Sequence, residues 1–307
     1  MSSSSHAPKL ALGRGRCPRW HRTFEAERPG ATWPTLAGVL AVLALAVLCA
    51  SARAEVKSVE EAPVRVTFSY DVNPPPAANS EPPYSNELLT IQRAGQTVFE
   101  GAPASSICPR VEYPCWVTDS SPVRVLSLDG AVEPEVLLSL YTGGAHCCSV
   151  VQVLHYEPST GSYSSVTQNF GDAGFLIQTL DGQLVFRSAD ARFDYRYTAN
   201  AYSGLPLQYW SYSPAGFADV TKSFPAQVRS DARSWWHRYM AIRDQHTGYE
   251  LGFIAAWAAD EYRLGHARRA NRIMLGEAAH HRLNGLGGLR RYAFVRNLMH
   301  VLPALGY

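Results

Sequence analysis

From residue 64 the chain alternates apolar and polar positions with a period of two. Val64–Tyr70, VRVTFSY, is the first clear case and predicts a strand with one buried face. The same pattern predicts strands at Glu87–Arg93, Thr97–Glu100, Val123–Leu128 and Glu135–Tyr141. The stretch LSLYTGGAHCCSVVQVLHY, Leu138–Tyr156, organises this region as two strands joined across a Gly-Gly turn. His146, Cys147 and Cys148 open its second strand. Further strands are predicted at Tyr163–Gln168, Phe175–Leu180, Gln183–Arg187, Phe193–Tyr197 and Leu207–Ser211. Short strands at regular spacing with Gly, Pro, Asn and Asp turns predict an antiparallel β-meander, either a partial propeller-like sheet or a sandwich or barrel. Val56–Pro63 reads as a tether, and Asn73–Tyr84, NPPPAANSEPPY, as an exposed loop.

The period changes after Phe224. Pro225 suits the first turn of a helix, and Val228, Ala232, Trp235, Trp236 and Tyr239 recur at helical spacing. Leu251, Ile254, Ala258 and Tyr262 form a second stripe that ends near Gly265. His266–Leu283 and Leu289–Leu302 predict a third and a fourth helix, the last stopped by Pro303. The expected fold class is therefore α+β, a β-meander followed by a C-terminal helical bundle.

Ahead of both regions, residues 1–35 are Ser-rich and then basic, and Leu36–Ala50 is an unbroken apolar run. Ala52-Arg53-Ala54 follows with small residues where a signal peptidase reads, so residues 1–54 predict a secretory signal. The 22 uncharged residues of Ala31–Ala52 also suffice to span a bilayer, which gives a retained single-pass anchor as the alternative. Either way the bulk of the chain lies outside the cytoplasm, in the periplasm or beyond the cell. Membrane contact is expected only through this N-terminal segment if it is uncleaved. The division expected is 1–54 leader, 55–224 β-rich domain and 225–307 helical region.

The leader alters the charge picture. The whole chain carries 28 basic and 26 acidic residues, but seven of the basic and two of the acidic ones precede Glu55. The remainder is slightly acidic, so the overall +2 is no sign of nucleic-acid binding. Residues 55–226 hold 9 basic and 18 acidic side chains, whereas residues 227–307 hold 12 arginines, no lysine and 6 acids. The halves could dock on each other, or the basic half could meet anionic surfaces, or its arginines could form solvated helix faces.

Cys108, Cys115, Cys147 and Cys148 remain beyond the leader. An even count in an exported chain points to disulfides. Pairing Cys108 with Cys115 forces a strained vicinal Cys147–Cys148 bond, so cross-pairing between loop and hairpin is slightly preferred. A thiolate beside His146, or His155 as base, is the catalytic alternative. Zinc spacing is absent, as are a Gly-x-Ser-x-Gly elbow, His-Glu-x-x-His and a phosphate-binding loop. The pattern argues against an enzyme, leaving an exported hydrolase or thiol enzyme at His146 and Cys147 or Cys148 as the competing reading.

LDGQLVFRSADARFDYRY, Leu180–Tyr197, holds Asp181, Asp190 and Asp194, oxygens of the kind calcium takes, but in no compact calcium-loop spacing. The simpler reading of Asp181-Gly182 is a tight hairpin turn. Phe193, Tyr195 and Tyr197 would share one strand face and, with Tyr202, Tyr209, Trp210 and Tyr212, make an aromatic-rich surface or core. Rings with nearby Asp and Arg suit a sugar polymer or peptide. His146, Asp190, Arg192, Tyr195 and Trp210 are the ligand-binding candidates.

The segments YTGGAHCC, SADARFDYRYTANAYSGLPLQYW and AAWAADEYRLG resemble uncharacterised exported bacterial proteins. Their β-part is similar to FG-GAP-type repeats, the blade unit of integrin-like propellers. That resemblance implies a calcium loop near Leu180-Asp181-Gly182, but Gln183 and Leu184 break the acidic run, and it carries over no catalytic residue. WAADEYRLGHARRA also looks like one helical hairpin of a tetratricopeptide repeat, bent at Leu264-Gly265. The resulting expectation is an exported binding or interaction protein, its partner a polysaccharide, a peptide or an envelope component. A structural envelope protein with a retained anchor is the third reading.

Overall fold

The computed structural model describes residues 53–73, 84–103, 116–117, 122–144, 146–284 and 290–307. The apolar segment expected as a leader, residues 74–83 of the proline-rich stretch, and Cys108 and Cys115 lie outside these residues. Residues 51–307 form one compact unit, three antiparallel sheets followed by four helices, an α+β fold.

The first sheet is a meander of β1 (Arg53–Glu61), β2 (Val64–Val72), β3 (Tyr84–Arg93) and β4 (Gln96–Gly101) in that order. Alternation decides its faces. Val64, Val66, Phe68 and Tyr70 point inward beside Leu89 and Ile91, while Arg65 is exposed. The β3–β4 turn has Ala94 and Gly95 both at positive φ, 48° and 82°. This handedness matches strand twist, and only glycine adopts it without steric cost. Of residues 56–63, expected as a tether, 56–61 are instead strand and 62–63 its turn: β1 pairs with β2 from Arg53↔Val72 to Glu61↔Val64. Its mostly exposed edge position explains the weak apolar pattern.

The second sheet comprises β6 (Val123–Leu126), β7 (Glu135–Gly144), β8 (Cys147–Glu157) and β9 (Ser162–Gly171), with the short β5 (Trp116–Val117) also pairing with β7. Both of its faces are covered. Val136, Leu138 and Leu140 join the core of the first sheet, and Leu137, Val151 and Val153 pack toward the third. Burial on two faces is why the hairpin sequence runs nearly continuously apolar. Gly144 pairs with Cys147, so the reversal falls just past the two glycines that had been expected to form it.

The third sheet is again a sequential meander, β10 (Leu176–Leu180), β11 (Gln183–Ala189), β12 (Leu207–Ser213) and β13 (Gly216–Asp219). Asp181 and Gly182 link β10 to β11 at φ 49° and 80°, the tight turn the sequence predicted. Phe186 and Tyr212 face the second sheet; Val185, Leu207 and Tyr209 pack with Phe224 on the opposite side.

The expected strand at Phe193–Tyr197 does not form. Asp190 caps a 3₁₀ turn at Ala191–Phe193, and Tyr195 sits at φ 52°, which no strand allows. The three aromatics diverge accordingly. Phe193 enters the helical core, Tyr195 is 56% exposed, and Tyr197 meets Phe294 edge-on at 5.1 Å.

The helices are α1 (Pro225–Ile242), α2 (Glu250–Arg263), α3 (Ala267–Ala279) and α4 (Arg291–Ala304). Almost all of α2 is buried, from Leu251 to Glu261, which makes it the central helix. Leu264-Gly265 bends α2 into α3 as expected, with Gly265 at φ 79°. Pro303 does not stop α4 but sits inside its last turn. At that position Leu305 still donates to the Val301 carbonyl, and the turn closes. No helix among the described residues is long and apolar enough to cross a membrane.

Candidate binding cleft

Where β11 ends, the chain leaves the sheet through Asp190, whose N–H donates to the Pro206 carbonyl at 2.8 Å. The Asp190 side chain is 2% exposed and takes donors from two sides. The Arg192 backbone N–H reaches Oδ1 at 3.0 Å, and its guanidinium folds back with Nε at 2.8 Å and Nη2 at 2.6 Å. The Tyr307 hydroxyl donates to Oδ2 at 2.6 Å. Burial alone would raise the Asp190 carboxyl, but these hydrogen bonds hold it below the ordinary range. Burial pushes the Tyr307 hydroxyl in the other direction, well above its usual value.

Three cations from three elements surround this pair. Arg192 Nη1 donates to the Leu305 carbonyl at 3.3 Å. Lys222, just after β13, donates to the Gly306 carbonyl at 3.0 Å. Arg263 at the end of α2 donates to the Leu207 carbonyl, lies 3.5 Å from Asp219, and covers the Tyr307 ring with its guanidinium 4.2 Å from the centroid. Together with Trp210 and Gln208 of β12 they line a cleft of about 560 Å³. Arg192, Lys222 and Arg263 against Asp190 and Asp219 leave one net positive charge on its wall. An indole, an amide and an ammonium with no carboxylate partner among the described residues, around one concavity, can hold a ring or short chain that bears an acidic group.

Of the five ligand-binding candidates, Asp190, Arg192 and Trp210 meet in this cleft. His146 and Tyr195 form a separate exposed patch, their rings 5.9 Å apart and edge-on. His146 Nδ1 lies 3.7 Å from Asp172, and Asn200 donates to both Asp172 and Asp194 at 3.0 Å. The two regions share a border at the end of β9, where Gly171 has no room for a Cβ against that of Ala191.

Beside His146, Cys147 is exposed and Cys148 is buried in the core between the first two sheets. Their sulfurs are in contact, and Cys148 N–H donates to Thr142 Oγ1 at 2.6 Å. Cross-pairing with Cys108 and Cys115 concerns residues outside those described. The three aspartates weighed for calcium lie in three different settings. Asp181 is in the β10–β11 turn, Asp190 is occupied by Arg192 and Tyr307, and Asp194 binds Asn200. Among the described residues no three His, Cys, Asp or Glu side chains gather as a metal group would need.

Sequence reasoning missed Lys222, Arg263 and Tyr307. One signal was available: Lys222 is one of two lysines after residue 54. Nothing comparable marked Tyr307, whose role depends on a contact with a residue 117 positions earlier.

No family model and no solved structure matches the chain. It is 28% identical over 158 residues to an uncharacterized protein of Sinorhizobium fredii, covering 50% of this chain and 25% of the relative. It is 31% identical over 147 residues to a probable thylakoid lumen protein of Synechocystis, covering 46% of this chain and 43% of the relative. The matches thus span less than half the length of either curated relative. This chain is thus similar to two distant proteins, one uncharacterized and one described as a probable thylakoid lumen protein.

Proposed function

We propose that the chain is an exported binding protein whose cleft between the third sheet and the C-terminal helices takes a saccharide or short chain carrying a carboxylate. The observation that carries this reading is the set Trp210, Gln208 and Lys222 on one concave wall with net positive charge. The indole offers a flat face to a sugar ring, the amide offers a donor and an acceptor, and the ammonium selects an acid. Lys222 is bound to a backbone carbonyl and can exchange that partner for a stronger one.

The likeness to a probable lumen protein supports export, because a lumen is reached across a membrane. We assign residues 1–54 as the export signal and 55–224 and 225–307 as the β-rich and helical parts. The likeness to FG-GAP-type blades belongs to the same proposal. Its support is three successive antiparallel sheets, the second packed between the other two.

Calorimetric titration with oligogalacturonate and with an uncharged oligosaccharide of equal length tests the cleft. Binding of the acidic chain that falls at least tenfold in Lys222→Ala and in Trp210→Ala is expected. Binding that ignores both substitutions, or no binding at all, refutes the assignment. The export reading is checked by intact mass of protein recovered from the producing cell. A chain starting at Glu55 supports it, and a full-length cytoplasmic chain rejects it.

A further inference from the structure

A second concavity lies on the far side of the helical region, between α1, α2 and α3. Its floor is indole: Trp236 and Trp257 meet at 4.7 Å between ring centroids. Arg229, Arg233 and His237 rise along one face of α1, and Arg269 faces them from α3, around a volume of about 360 Å³. Glu261 is the carboxylate of this groove, and it is engaged by His266 at 3.1 Å and Arg269 at 3.7 Å. Arg229 and Arg233 are exposed and have no carboxylate partner among the described residues. Three guanidiniums against one carboxylate leave two positive charges.

What sets this face apart from a solvated one is the concavity and its floor. Arginines at i and i+4 repel, which disfavours the helix by about 0.2–0.5 kcal/mol, whereas a second pair on these helices is neutralised. Arg243 and Arg282 both reach Glu277 and Asp244. Here the repulsion is retained over two half-buried or buried indoles. Guanidiniums match phosphate oxygens two at a time, and a charge of plus two matches a phosphate monoester better than a single carboxylate. The indole floor adds a flat apolar surface for the ring that carries the phosphate. A planar bilayer does not enter a concavity of this size, so a soluble or polymer-borne sugar phosphate fits better than a membrane surface.

We propose that the α1–α2–α3 groove is a binding site for a phosphate monoester on a sugar ring, held by Arg229, Arg233 and Arg269 over Trp236. This site is independent of the cleft and of its proposed ligand. The two indoles give the test its own readout, intrinsic tryptophan fluorescence of the full chain titrated with glucose 6-phosphate. Glucose, inorganic phosphate and phosphatidylglycerol vesicles are the comparison ligands.

A saturable change with glucose 6-phosphate, absent with glucose and weaker with inorganic phosphate, is expected. The paired substitution Arg229→Ala with Arg233→Ala should weaken it at least tenfold, whereas Lys222→Ala should leave it unchanged. Circular dichroism of the paired variant separates lost binding from lost folding, and Arg233→Lys, which keeps the charge but not the fork, should bind at an intermediate level. The proposal is overturned if no phosphate ester binds, if only vesicles bind, if inorganic phosphate binds as tightly as the ester, or if the arginine variants bind like the parent.

Discussion

The hydroxyl of Tyr307 donates a 2.6 Å hydrogen bond to Asp190, 117 residues earlier in the chain. That one contact ties the turn after α4 to the point where the chain leaves the third sheet, and Arg192 completes it from the solvent side. Removing the hydroxyl in Tyr307→Phe should cost about 1–2 kcal/mol, because a buried carboxylate loses a donor. Arg192→Ala strips Asp190 of its charge partner and should cost about 3 kcal/mol. Urea unfolding of both variants and the double mutant checks this. Effects that simply add would mean that the two donors do not share Asp190.

Close backbone approach sets a second limit. A Cβ on Gly252 in α2 would run into the Tyr202 carbonyl and the Thr198 methyl, and one on Gly204 would meet the Gly252 carbonyl. Gly252→Ala should therefore destabilise by about 3 kcal/mol, through overpacking. A helical glycine free of such contacts, Gly276, has open space at its Cβ. There Gly276→Ala should be neutral or stabilising by up to about 1 kcal/mol. Thermal melts that rank the two alanine variants the other way would contradict the packing.

Burial gives stability a pH slope. Burial raises Glu87 to about 7 and raises Glu135 to about 7 even though Glu135 accepts from the Leu128 N–H at 2.7 Å. Both carboxyls have a higher pKa folded than unfolded, so the unfolded chain loses its protons first. Their stabilisation is full below about pH 4 and is lost as the pH rises toward and past 7, at up to roughly 1.4 kcal/mol per pH unit for each group. Urea midpoints between pH 5 and 8 should fall for the parent, and fall less in Glu87→Gln combined with Glu135→Gln. A parent whose midpoint is flat or rises over that range would exclude this account.

Asp260 adds to the same slope from inside α2. Both of its oxygens are buried, and no donor among the described residues reaches them. Burial, and then the neighbouring charge of Asp231, push it well above the usual range. Asp231 itself accepts from the Leu207 N–H at 3.0 Å and the Trp235 indole at 2.9 Å, which leaves Asp260 as the neutral member. Asp260→Asn should thus gain on the parent steadily as the pH rises from about 4. The reverse trend in chemical denaturation would mean that Asp260 is ionised in the folded protein.

Much of the fold is legible in local pattern. Period two in VRVTFSY marks a strand with one wet face, Asp181-Gly182 marks the β10–β11 turn, and the change to helical spacing after Phe224 marks the end of the sheets. These depend only on which positions must face water, and neighbours in sequence report that directly. The same rule failed at Phe193–Tyr197, where spacing alone suggested a strand. There the Asp190 cap and the Tyr195 backbone override alternation. It also failed at β1, whose exposed edge carries too few apolar side chains to register.

Local pattern was enough for most element types, for the class of the fold and for naming Asp190, Arg192 and Trp210 as candidates. Three-dimensional packing is what brings these three into one cleft with Lys222 and Arg263, sets Tyr307 against Asp190, and leaves His146 and Tyr195 apart from it. It also placed Arg229 and Arg233 opposite Arg269 over a floor of indole. Periodicity states which face of an element is buried, but not which other element buries it. That choice is made by packing between segments far apart in the chain, where shape and charge of both partners must agree at once.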